Sequence, residues 1–345
     1  MIVKLLIFLM LVPFAAAAQG FAGLGQDAKG FDVPVRGHIL TFPKDHGAHP
    51  KFRIEWWYVT ANLTDETGSQ YGVQWTLFRS ALRPHPQSGW QDPTLWMGHA
   101  ALTTSEQHFF GERLARGGIG QAGVTPSPFS AWIDEWQLHG PTFENLSMTA
   151  TTEQFSYQLD LTSQDPIILH GDSGYSVKSE QGQASYYYAQ PAYQVRGTLT
   201  LPSGSVAVTG SAWLDREWSS QPLSKDQTGW DWFSLTFADG ARLMAFQLRG
   251  EKSDFLSGTW VAATGETTLL RSSDIHLSLL STTVVSGRKI PTQWSLTVPK
   301  HQVDVTISAL NNNAWMETSF PYWEGPVNVS GNRTGVGYLE MTGYQ

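Results

Sequence analysis

Along much of this chain hydrophobic and polar residues alternate one by one, the period of a strand with a single dry face. Phe155, Tyr157, Leu159 and Leu161 interleave with Ser156, Gln158, Asp160 and Thr162. Val303, Val305 and Ile307 interleave with Asp304 and Thr306 in the same way. Turn signals separate such runs. Ala238-Asp239-Gly240 divides the Phe233–Phe237 run from Met244–Leu248, Pro202-Ser203-Gly204 divides Leu199–Leu201 from Val206–Val208, and residues 64–68 divide 55–63 from 71–79. Asp-Gly is a preferred corner of a tight hairpin. No stretch carries three helical turns of 3.6 periodicity. The pattern predicts an all-β sandwich or barrel architecture.

A length of 345 residues suits two domains, each able to bury a core. The expected boundary lies after Tyr186-Tyr187-Tyr188, giving domains at 19–200 and 201–345. Glu55-Trp56-Trp57 before one aromatic run and Asp215-Arg216-Glu217-Trp218 before another suggest two related barrels. At the start, Lys4, an apolar run to Phe14 and Ala15–Ala18 have the order of an export signal, cleaved after Ala18. The apolar run is too short to span a bilayer. The expectation is a mature protein outside the cytoplasm, secreted or periplasmic.

Composition narrows the chemistry. With Lys+Arg 22 against Asp+Glu 30 and a net charge of −8, nucleic acid is excluded as a partner. The absence of cysteine removes disulfides, thiol nucleophiles and Cys-based metal sites. Gly171-Asp172-Ser173-Gly174 copies a protease nucleophile motif without the histidine and aspartate context that chemistry needs, and reads as a turn. His46 and His49, i, i+3 in a loop, lack a third ligand, so no metal is expected. What stands out is carboxylate beside indole: Glu55-Trp56-Trp57, Trp213 to Trp218, Trp230-Asp231-Trp232 and Trp323-Glu324.

In an extended 213–218 segment, Trp213, Asp215 and Glu217 share one face, and Arg216 and Trp218 the other. Tyr338 and Glu340 likewise share a face. A carboxyl walled in by aromatics has its pKa raised and becomes a general acid near neutral pH. The competing reading pairs these acids with Arg53, Arg79, Arg216 or Arg249 as structural ion pairs. With 17 Phe, 15 Trp and 11 Tyr, the chain is also expected to enclose an apolar cavity.

The residues that carry these patterns resemble the AttH-like, carotenoid 1,2-hydratase (CrtC-like) family. The match rests on Glu55-Trp56-Trp57-Tyr58, Met97-Gly98-His99-Ala100-Ala101-Leu102-Thr103, Trp213–Trp218, Gly229–Phe233, Tyr322-Trp323-Glu324-Gly325 and Gly337–Gly343. The resemblance implies two lipocalin-like β-domains packed together, an apolar isoprenoid, polyene or lipid-like ligand, and no cofactor. In the hydratases a carboxylic acid protonates an alkene and aromatic rings stabilise the cation. Their Tyr-x-Asp pattern falls on Tyr338-Leu339-Glu340, with Glu in place of Asp. Asp215, Glu217, Asp231, Tyr338 and Glu340 are accordingly the catalytic candidates. Glu55, Trp56, Trp57, His99, Arg216, Trp218, Trp232, Tyr322 and Trp323 are the ligand-binding candidates. Two functions stay open: a cofactor-free hydratase or hydrolase, and a non-catalytic periplasmic carrier of an apolar ligand working with ABC-type export components.

Overall fold

The computed structural model describes residues 28–344; the leader expected at 1–18 lies outside the described residues. Two antiparallel sheets account for the architecture. The first is built from β1 (Ile54–Thr64), β2 (Gln70–Ala81), β3 (Thr94–Thr103), β4 (His108–Arg116), β5 (Ala122–Pro126), β6 (Phe129–Ile133), β7 (Trp136–Thr142), β8 (Asn145–Thr151), β9 (Ser156–Thr162), β10 (Ile168–Leu169), β11 (Tyr175–Val177), β12 (Ala184–Leu201) and β13 (Gly204–Ser219). The second comprises β14 (Gln227–Phe237), β15 (Arg242–Gly250), β16 (Phe255–Val261), β17 (Thr267–Arg271), β18 (His276–Val285), β19 (Arg288–Val298), β20 (Val303–Ala309), β21 (Trp315–Met316), β22 (Tyr322–Gly331) and β23 (Gly335–Met341). Among the described residues the only helical elements are short 3-10 turns.

The strand order in the first sheet is β4-β3-β2-β1-β13-β12-β9-β8-β7-β6-β5, with β10 and β11 on β12. The sheet curls, because β6 packs back onto β2, β3 and β4. Trp57, Trp75, Trp136, Tyr188 and Leu214 fill the space so enclosed. The second sheet runs β17-β16-β15-β14-β23-β22-β20-β19-β18, and its interior holds Phe233, Trp260, Trp294 and Trp323. Each is a barrel-like, lipocalin-type unit. The predicted hairpins form: Gly68 and Gly240 take the positive φ (84° and 86°) that their corners demand.

Two expectations change. Leu201 pairs with Gly204 across the turn of the β12–β13 hairpin, so a boundary at 200/201 falls within the first sheet. The chain crosses between sheets after Ser219 and before Gln227. The two acid-Trp segments also do not open equivalent hairpins in separate barrels. They are neighbours in one sheet, with Glu55 opposite Trp218, Trp56 opposite Glu217 and Tyr58 opposite Asp215. Gly171–Gly174 is a turn, with Gly171, Ser173 and Gly174 all at positive φ.

Candidate active site between the barrels

Strand alternation decides which side chains meet. On β1, Trp57, Val59 and Ala61 point into the first barrel, so Trp56 and Tyr58 point outward. On β13, Leu214 and Trp218 go inward and Trp213 outward, carrying Asp215 and Glu217 with it. On β14 and β23, Phe233 and Leu339 go inward, leaving Trp232, Tyr338 and Glu340 to face the first barrel. The two outer faces pack into an aromatic seam of Tyr58, Tyr187, Trp213, Trp232, Phe246 and Tyr338. Four carboxyl groups gather in that seam: Asp215, Glu217 and Glu324 are buried and Glu340 is half-buried beside them.

Glu324 and Glu340 are cross-strand partners on β22 and β23. Their Cβ atoms therefore lie about 5 Å apart on one face. Tyr58 donates to Glu324 Oε1 at 2.6 Å, and Trp230 Nε1 donates to Glu340 Oε1. Tyr322 also contacts Glu324, and its hydroxyl lies 2.8 Å from His99 Nδ1. Burial and the charge of Glu340 hold the Glu324 carboxyl well above its ordinary range. Burial pushes Glu340 up to about 7 despite the Trp230 and Tyr58 hydrogen bonds. Two like charges so close cannot both ionise, so this pair retains at least one proton at neutral pH.

Asp215 accepts from Tyr187 at 2.6 Å and from the Trp213 indole at 2.7 Å. Burial drives it up to about 8. His170 is equally buried, its charged form so disfavoured that its pKa falls to about 3. Its Nδ1 lies 2.9 Å from the Thr259 hydroxyl, and its Nε2 faces Asp215 Oδ1 at 4.0 Å. Trp232 donates to the Tyr187 hydroxyl at 3.0 Å, which links this group to the second barrel. Among the described residues Glu217 is the one of the four acids in an ion pair with a lysine or arginine, Lys178 at 2.8 Å, whose charge also reaches Asp215.

The seam thus gathers Asp215, Glu217, Tyr338, Glu340, Trp56, His99, Trp232 and Tyr322 from the candidates. The remainder lie elsewhere. Glu55, Trp57, Arg216 and Trp218 line the inside of the first barrel, where Glu55 pairs with Arg79 and Arg216 and the Arg216 guanidinium stacks 3.7 Å over Trp57. Those cations hold the Glu55 carboxyl well below its ordinary range, although burial opposes them. Asp231 and Trp323 face into the second barrel, Asp231 bound to Arg249 and to the Tyr344 hydroxyl. Burial raises Asp231 against the pull of Arg249. For Glu55 and Asp231 the ion-pair reading describes the geometry. Tyr58, His170, Lys178, Tyr187, Trp230 and Glu324 belong to the seam but were not among the candidates. Tyr322 and Glu324 are two apart, so alternation alone puts Glu324 with Tyr322 and turns Trp323 away.

Two clefts border the seam. One of about 470 Å³ is lined by Arg36, Tyr175, Val177, Phe255, Leu256 and Arg271. The other, about 200 Å³, lies between Asn62, Tyr71 and Ser211 on one side and Pro326 and Asn328 on the other. Neither is lined by an acid of the seam. The aromatic abundance is taken up by the two cores and the seam itself.

Two curled sheets with acids buried between them define a tandem lipocalin-like β-protein. The chain belongs to the AttH-like family, whose model matches residues 33–344. A candidate AttH (NE1406) of Nitrosomonas europaea, known from its crystal structure, is 33% identical, with 91% of this chain and 99% of that one covered at a TM-score of 0.83. Kievitone hydratase from Nectria haematococca shares the fold at 14% identity, 90% and 95% coverage and a TM-score of 0.68. CghA, solved with Sch210972, shares it at 10% identity, 92% and 97% coverage and a TM-score of 0.59. No curated protein matches the chain in sequence. No helix among the described residues is long and apolar enough to cross a membrane.

Proposed function

We propose that the seam is the active site of a cofactor-free acid catalyst that hydrates a carbon–carbon double bond in an apolar, isoprenoid- or polyene-like substrate. The observation that carries this reading is the directly opposed Glu324–Glu340 pair, Glu324 buried and Glu340 half-buried, with Tyr and Trp donors and, among the described residues, no cation in an ion pair with either. A neutral carboxyl near pH 7 is matched to proton donation. Glu340 gives its proton to one alkene carbon, the π electrons form the C–H bond, and the cation forms on the other carbon. The faces of Trp232 and Trp56 stabilise that cation. Water adds through oxygen and returns a proton to the carboxylate, so protons balance over the cycle. The fold shared with a protein named a hydratase supports the reading. We further place the protein outside the cytoplasm, on the leader pattern of residues 1–18.

A second reading is favoured by one observation: the larger cleft lies at the rim and not on the acids. There the protein is a carrier holding an apolar ligand, and the acids serve only to shape the seam. Incubation with lycopene-like alkenes and with envelope lipids, followed by mass spectrometry, separates the two. A gain of one water on an alkene, lost in Glu340→Gln, is expected. Unaltered lipid that co-purifies, with no alkene gaining water, establishes the carrier.

A further inference from the structure

The hydrogen bonds around Tyr322 have a direction, and it is set from outside the acid pair. Glu112, at the rim of the first barrel, accepts from the Ser319 backbone N–H at 3.0 Å and from the Ser319 hydroxyl at 2.8 Å. Partial burial opposes ionisation of Glu112, but the hydrogen bond with His99 and these two Ser319 donors outweigh it and hold the carboxylate form, and a carboxylate only accepts. Its Oε1 lies 3.1 Å from His99 Nε2. Buried His99 disfavours its charged form, so the ring carries one proton, on the nitrogen that faces Glu112. Nδ1 is then a lone pair, 2.8 Å from the Tyr322 hydroxyl. Tyr322 must spend its only proton there, and its oxygen offers Glu324 nothing but lone pairs. On Glu324, Oε1 takes the Tyr58 proton while Oε2 accepts no well-formed hydrogen bond.

We propose that Glu112 and His99 are positioning residues that hold Glu324 as the permanently neutral member of the pair, its proton on Oε2, the oxygen that no donor occupies. Glu340 is then the member that titrates and transfers a proton. The arrangement spans the interface: the first barrel supplies Glu112 and His99, the second Tyr322, Glu324 and the Ser319 clamp. The groups facing Glu324 are Glu340 and Tyr338 from β23, Tyr58 from β1, Tyr322 from its own strand and Tyr157 from β9. None is a cation, so no competing charge reverses the assignment. The assignment deepens the proposed function and rests on its acid pair.

Nitrogen-15 NMR of the histidine rings in the whole protein, without substrate, tests it. His99 is expected as the Nε2–H tautomer at neutral pH. Glu112→Ala should release the ring to the other tautomer, which lets Tyr322 donate to Glu324 and favours the carboxylate. The infrared band of the protonated carboxyls should then titrate about one pH unit lower. Glu112→Gln should restore both readouts, because a carboxamide oxygen accepts in the same place. Glu112 lies at the rim, so neither variant removes core packing. A wild-type His99 protonated on Nδ1, or a Glu112→Ala protein titrating like the wild type, overturns the proposal. Both measurements are independent of turnover: failure to hydrate any alkene defeats the proposed function and leaves this assignment standing.

Discussion

Replacing Glu340 by Gln should make the protein more stable in base and not in acid. The Glu340 carboxyl rises from an ordinary 4.5 to about 7 on burial in the seam. A raised folded-state pKa contributes stability that is fully present below 4.5 and lost as pH climbs through 7, because the unfolded chain ionises first. The shift corresponds to about 3 kcal/mol at pH 8. Gln keeps the shape and an oxygen to accept from Trp230 but has no proton to lose. The variant should therefore match the wild type within about 1 kcal/mol at pH 4 and exceed it by about 3 kcal/mol at pH 8. Relief of Glu324 from its neighbour's charge has the same sign. Asp215 titrates in both proteins and cancels in the difference. Denaturant unfolding at intervals from pH 4 to 8 measures this directly. A stability difference independent of pH would mean that Glu340 is not held neutral by burial, and the acid-catalyst reading would fall with it.

Glu55→Gln should destabilise by about 3–5 kcal/mol at pH 7, since Arg79 and Arg216 lose their buried counter-charge; because the Glu55 pKa is lowered, the deficit should shrink as pH falls below 4.5, which unfolding at pH 7 and pH 3 will show. Trp230→Phe removes an indole N–H that favours the Glu340 carboxylate, so the Glu340 midpoint, read by carbon-13 NMR of labelled glutamate, should rise by about half a unit to one unit. Gly72→Ala places a Cβ 2.5 Å from the Pro326 ring across the seam. The sheets must then move apart at a cost of about 1–3 kcal/mol, and admitted water should bring the Glu340 midpoint back toward 4.5; an unchanged midpoint at wild-type stability would show that close approach of the sheets does not raise it.

The strands were legible because alternation is a local property. β9 and β20 coincide with runs of one-by-one polarity, and the Asp239-Gly240 corner is written in two residues. The split of the 213–218 segment into an acid face and an Arg–Trp face was legible for the same reason. Strand partners were not. Nothing within residues 55–58 announces that their neighbour is 215–218, which lies some 160 positions away, so two segments of one sheet looked like an internal repeat. The site was half legible. Alternation assigns Glu55 and Glu340 each to a face, but which face looks into a barrel and which looks between barrels depends on how the sheets curl. His170 and Lys178 carry no motif at all: they reach the seam through the short strands laid on β12.

The contrast between acids inside the barrels and acids between them follows from the type of donor beside them. Inside, Glu55 meets two guanidinium groups, which supply hydrogen bonds and compensating charge together, whereas the single guanidinium on Asp231 does not outweigh its burial. Between the barrels, Asp215, Glu324 and Glu340 meet phenols and indoles, which supply hydrogen bonds alone. A neutral donor satisfies a carboxyl oxygen without repaying the desolvation of its charge, so such acids are kept protonated by burial. Glu217 marks the limit of the rule: Lys178, which bonds it, also lies over the Tyr187 and Phe246 rings at 4.6 and 4.3 Å. One buried ammonium anchors one acid and leaves three to aromatic donors, the distribution on which the proposed acid catalysis rests.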